Sequence, residues 1–127
     1  MRSNTVRVAF ALVLALASPS VAAETCRMWF GKPACGYQIH LSFEHATPGQ
    51  TIVVDYLAPP TRSASDSIEV VHHQTHRVLE RHRVESESGL FLFVAPFAPG
   101  QYQVRYLDGE TRAVRAVQYL IVRDGAS

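Results

Sequence analysis

Four of the six histidines, His72, His73, His76 and His82, fall within eleven residues, in Val71-His72-His73-Gln74-Thr75-His76-Arg77 followed by Arg81-His82-Arg83. Neutral imidazole is a common ligand for zinc and copper, so metal capture or delivery would be placed here. Strand geometry works against a shared site, because His72 and His73 are neighbours and point to opposite faces. A hairpin turning at Thr75-His76 pairs His73 with Val78 and His82 with Glu69, which sets His73 and His82 roughly 13 Å apart along the strand. A slipped register or a bulge would bring them closer. The favoured reading is a polar hairpin face, with zinc or copper on His72, His73, His76 and His82 as the alternative. Arg77, Arg81 and Arg83 fit either an anionic glycan or protein partner or a solvated edge that resists aggregation, and Glu80, Glu85 and Glu87 blunt their charge.

The second concentration is Cys26-Arg27-Met28-Trp29-Phe30-Gly31-Lys32-Pro33-Ala34-Cys35, which holds the only Trp and both cysteines. The spacing is not that of a CxxC redox exchanger. Oxidised, it closes a loop worth about 2 to 3 kcal/mol. A pre-ordered loop carrying Arg27, Trp29 and Phe30 has the make-up of a binding hot spot. The competing expectation is that it folds back to plug an open end of the domain, against Phe91 and Phe93. Catalysis is poorly supplied: no Gly-x-Ser-x-Gly elbow, phosphate-cradling glycine loop or HExxH helix is present. Ser63, Ser65 and Ser67 near a His, or Asp55 with Asp66, supply parts of a site and never nucleophile, base and charge stabiliser together. Neither enzymatic activity nor a resident cofactor is expected.

These residues must be positioned by strands. Tyr37, Ile39, Leu41 and Phe43 alternate with polar residues. Thr51 to Leu57 points Ile52, Val54 and Tyr56 one way; Asp66 to His73 points Ile68 and Val70 inward with Ser67 and Glu69 outward. Arg77 to Val84 is a more polar fourth strand. Leu90 to Val94 is apolar on both sides, which predicts a strand covered on both faces or lying under the N-terminal segment. Tyr102, Val104 and Tyr106 face inward on a sixth strand, joined by an Asp108-Gly109 turn to a seventh, Arg112 to Val122, built around Val117, Tyr119 and Ile121. Seven short strands without helical periodicity predict an all-β, two-sheet antiparallel sandwich, with a small closed barrel as the alternative. Thr47-Pro48-Gly49-Gln50 and Ala98-Pro99-Gly100-Gln101 echo each other as type II entry turns to two strands that should be central in opposing sheets.

Ala98-Pro99-Gly100-Gln101-Tyr102-Gln103-Val104-Arg105-Tyr106 resembles the corner that opens strand F of immunoglobulin-like domains, with Tyr102 as the residue whose hydroxyl bonds back to nearby backbone. With Pro48-Gly49 to Tyr56 and Asp66-Ser67-Ile68-Glu69-Val70, the pattern is similar to small bacterial immunoglobulin-like modules of secreted and von Willebrand A-associated proteins, over about residues 36 to 123. The resemblance implies a seven-stranded immunoglobulin-like sandwich and a non-enzymatic extracytoplasmic role. It carries no catalytic set. Val104 stands where antibody-type domains have their second core Cys, and the leading Cys26–Cys35 loop is foreign to these modules.

Composition bounds the rest. The chain has 127 residues, 47% apolar and 18% charged, with a formal net charge of +1, which suits one globular domain and gives no long-range attraction to nucleic acid or anionic lipid. Residues 1–23 read as a signal peptide: Arg2 and Arg7, an apolar run from Val8 to Ala17 too short to span a bilayer, then small residues up to Ala23. The expected organisation is a leader over 1–23, a disulfide-closed loop over 24–36 and the sandwich over 37–123. The expected role is a secreted or periplasmic binding or assembly module for a protein or surface polymer, without nucleic acid and without a membrane span once the leader is removed. The alternatives are periplasmic metal binding and a small enzyme inhibitor.

Overall fold

Alternating side chains decide the architecture, since each strand must bury one row and can wet the other. The computed structural model describes residues 26–124, so the expected leader lies outside the described residues. Among the described residues ten strands run in order: β1 (Cys26–Trp29), β2 (Lys32–Cys35), β3 (Gln38–Leu41), β4 (His45–Ala46), β5 (Thr51–Leu57), β6 (Ser67–His72), β7 (Val78–Arg83), β8 (Ser88–Val94), β9 (Gly100–Leu107) and β10 (Val114–Val122). Strands β3-β5-β8 form one sheet, β4-β10-β9-β6-β7 a second, and β1-β2 a separate hairpin. Ile39, Ile52, Val54, Tyr56, Phe91 and Phe93 of the first sheet share one core with Ile68, Val70, Tyr102, Val104, Tyr106, Leu120 and Val122 of the second.

The expected seven strands are joined by three others. The disulfide segment is itself a hairpin, with Cys26 opposite Cys35 and positive φ at both Phe30 (51°) and Gly31 (76°), the geometry of a two-residue primed turn. After β3 the chain crosses to the other sheet, where β4 lies parallel to β10 (Ile121 opposite His45), so pairing is not antiparallel throughout.

The paired entry turns hold in part. Strands β5 and β9 are central in opposing sheets, and the amide of Gln50 donates to Thr47 O around a Gly49 at φ 82°. Gly100, at φ 152°, already belongs to β9 and makes no type II turn. The β9–β10 connection is also longer than an Asp-Gly turn. Asp108 Oδ1 accepts from the amides of Glu110 and Thr111 at 2.8 and 3.1 Å, and Arg112 takes φ 65° before β10 begins. With an irregularity between Val114 and Ala116, that connection reverses the expected parity of β10: Leu120 and Val122 are buried, while Val117 and Tyr119 face solvent.

The Tyr102 hydroxyl donates to Ala98 O at 2.5 Å, tying the entry of β9 to the segment before it. A second polar node closes the opposite end of β9. Buried Asp66 accepts from the Tyr106 hydroxyl (2.6 Å), the amide of Gly109 (2.8 Å) and the amide of Ser63 (3.2 Å), which satisfies a carboxylate that would otherwise be costly to bury.

Candidate functional site

The outer face of the β3-β5-β8 sheet is where the structure departs most from a wet surface. Phe91 and Phe93 point into the core, so they cannot receive the disulfide segment as a plug. The other row of β8, Leu90, Leu92 and Val94, is 58%, 58% and 57% exposed, which corrects the expectation that both faces of this strand are covered. In register, Leu92 lies beside Val53, Val94 beside Thr51, and Leu90 beside Asp55, which itself pairs with His40. Strand β8 is the sheet's edge and its sequence, Ser-Gly-Leu-Phe-Leu-Phe-Val, carries no charge and no Pro, the devices that normally protect an edge.

The disulfide hairpin lies on this same outer face and covers only one end of it. Ala34 is buried, and Arg27, Ala34 and Gly36 surround Leu57. Arg27 pairs with Glu87 at 3.6 Å. Trp29, half-buried, stands edge-on to Phe30 (5.0 Å between ring centres), and Phe30 stacks on His40 at 3.9 Å and 19°. His40 Nδ1 is 4.0 Å from Asp55 Oδ2, beyond hydrogen-bond reach. Met28 and Phe30 remain exposed. A cleft of about 320 Å³ separates the hairpin from β3, between Trp29, Phe30 and His40. The Phe30–His40 stack and the row Leu90, Leu92 and Val94 therefore share one sheet face, with Asp55 between His40 and Leu90, and a groove of about 420 Å³ is lined by Leu79 of β7 and by Leu92 and Val94 of β8.

Of the predicted contact residues, Trp29 and Phe30 thus stand together against His40, across Asp55 from the apolar row, and Arg27 lies towards Leu57.

The histidine segment resolves differently. Its strands pair one residue out of the expected register: Glu69 faces Arg81 and Ile68 faces His82. The cause is a five-residue loop, His73 to Arg77, with His76 at φ 61° and a shift between Val70 and Val71. A slip of one residue turns every side chain over, so His82 faces inward and stacks on Phe91 at 4.3 Å. His72 Nδ1 accepts from the amides of Gln74 and Thr75, and its ring meets Tyr102. His73 faces the other way, its Nδ1 3.0 Å from Gln103 Nε2 and its ring against Tyr119. The structure does not bring His72, His73, His76 and His82 together, and among the described residues no three His, Cys, Asp or Glu side chains gather to hold a metal ion.

The new register gathers a cluster the sequence reading missed. Glu69 is wholly buried although it points away from the core; Arg81, Arg105 and Arg112 close over it. The signal was in the sequence as an acidic residue between basic cross-strand neighbours, and the wrong register hid it. Asp55 and Asp66 do not pair: Asp55 faces His40 in one sheet and Asp66 holds Tyr106 in the other.

No protein-family model and no curated protein matches this chain. Among the described residues no helix is long and apolar enough to cross a membrane, and a disulfide such as Cys26–Cys35 forms and persists in oxidising compartments.

Proposed function

We propose that this chain is an exported binding or assembly module, periplasmic or secreted, built as an immunoglobulin-like sandwich and acting without catalysis. It docks a protein partner on the outer face of the β3-β5-β8 sheet. The observation that carries this reading is the exposed row Leu90, Leu92 and Val94 on an uncharged edge strand, on the same sheet face as Phe30 and its His40 stack. Contiguous exposed apolar surface of this kind marks interaction sites. The disulfide holds Trp29 and Phe30 in place before a partner arrives, which lowers the ordering cost of binding. The immunoglobulin-like assignment draws support from the central placement of β5 and β9 in opposing sheets and from the bond of Tyr102 to Ala98. Export draws support from the leader pattern over 1–23 and from the disulfide.

Position-specific photo-crosslinking in the producing cell tests the docking face. A crosslinker at Leu92 or Phe30 is expected to give the same discrete heavier adduct, and one at Val114, exposed elsewhere on the molecule, is expected to give none. Adducts equal at all three positions, or absent from all three, contradict the proposal.

A further inference from the structure

The outer face of the other sheet carries an excess of positive charge with an unusual construction. Arg81, Glu69 and Arg105 form one row across β7, β6 and β9, so the two arginines are about 10 Å apart with the carboxylate between them. Glu69 Oε2 accepts from Arg81 Nε at 2.7 Å and lies 2.6 Å from Arg81 Nη2 as an ion pair, and Arg112 Nη2 reaches within 3.8 Å of the same oxygen from the β9–β10 connection. Arg105 Nη2 is 3.5 Å from Oε1, and both that oxygen and Arg105 Nε are buried with no hydrogen-bond partner. Balancing one buried carboxylate takes one well-placed guanidinium. Here three converge, leaving two positive charges over, and crowding like charges costs free energy unless a further anion offsets it. The Arg81 and Arg112 side chains are more than half exposed. Arg83, two residues along β7, extends the array on the same face.

The adjoining row is Val71, Gln103 and Tyr119. Tyr119 is 45% exposed and is buttressed by the His73 ring at 5.8 Å, while His73 is fixed by Gln103. A flat sheet face that sets guanidiniums beside an immobilised phenol ring and an amide matches an acidic sugar chain. Planar guanidinium forks take up carboxylate or sulfate in bidentate fashion, and the apolar face of a pyranose packs on an aromatic ring.

We propose that Arg81, Arg83, Arg105 and Arg112, held in array by Glu69, form with Tyr119 a binding site for an acidic polysaccharide on the outer face of the five-stranded sheet. The site stands on the opposite sheet from the apolar docking face and does not depend on that reading. Near-neutral overall charge disfavours capture of nucleic acid by a long-range field, so recognition is local.

Calorimetric titration of the purified, oxidised chain with polygalacturonate and with dextran sulfate tests this, and the stronger of the two identifies carboxylate or sulfate as the anion. Neutral dextran, single-stranded DNA and vesicles rich in anionic lipid form the comparison arms. At least one of the two polyanions is expected to bind, with Kd raised tenfold or more in Arg112→Gln and in Arg83→Gln, both of which leave the short Arg81 contacts with Glu69 in place, and in Tyr119→Ala. Unchanged melting temperatures of the variants separate lost binding from lost folding. Absence of binding to both polyanions at low salt overturns the proposal. So does affinity unchanged in all three variants, or binding to DNA or vesicles as tight as to the polysaccharide.

Discussion

Single residues fix the ends of this molecule through backbone fit and protonation. Gly109 packs so tightly on Ser65 that an added Cβ would lie 2.3 Å from backbone atoms, so Gly109→Ala must displace the 108–113 connection and break the Asp66 bond to its amide. A loss of about 2 to 3 kcal/mol is expected in denaturant titration. Burial, then the bond to Asp66, pushes the Tyr106 hydroxyl far above its ordinary value of 10. The unfolded chain releases this proton near pH 10 while the folded chain keeps it, so stability falls as pH rises above 10, and Tyr106→Phe is expected to remove that alkaline slope. Asp108 shows the opposite sign. The Arg115 side chain, then the amides of Glu110 and Thr111, hold its carboxyl down at about 2. Its contribution is present above the unfolded carboxylate value of 3.8 and is lost as pH falls towards 2, a trend that Asp108→Asn should flatten in acid-unfolding curves. The inward faces of Tyr102, Val104 and Tyr106 were legible from alternation alone. The Asp66 node was not, because it joins residues 40 and 43 apart in the chain that only the finished sheet brings together.

At the scale of elements, turn geometry decides what alternation cannot. The period of two predicted β5 with its boundaries and inward row, but it is blind to a one-residue slip. The loop between β6 and β7 and the irregularity at the start of β10 therefore exchanged the inner and outer rows of β7 and β10 relative to expectation. The slip is stabilised on both faces, by His82 on Phe91 inside and by Arg81 on Glu69 outside. Arg81→Leu should accordingly cost about 2 to 3 kcal/mol, because it strips a buried carboxylate of its hydrogen bond from Nε and of its nearest guanidinium; thermal unfolding measures this. The disulfide hairpin carries a separate prediction. Replacing Cys26 and Cys35 by Ser should lower stability by about 2 to 3 kcal/mol and shift Trp29 emission to longer wavelength as the Phe30–His40 stack loosens. The sequence showed the loop's composition; its hairpin form depends on positive φ at Phe30, a residue that rarely takes it.

The whole molecule presents two unlike outer faces, one apolar and one cationic, around a shared core. Composition could not reveal this, since a near-neutral average conceals charge gathered on one sheet and apolar side chains on the other. The apolar face was misread because Leu90 to Val94 has the pattern of a doubly covered strand, and it becomes an exposed row only because β8 is an edge that the hairpin does not reach. If that row exists for a partner and not for folding, replacing Leu90, Leu92 and Val94 together by Ser should change the melting temperature of the purified protein by no more than a few degrees. The most direct test is hydroxyl-radical footprinting of Met28, Phe30, Leu90 and Leu92 in the producing cell compared with the purified chain, with Val114 as reference. Strong protection of those four side chains in the cell, with Val114 labelled equally in both samples, is the predicted result; equal labelling of all five would contradict it.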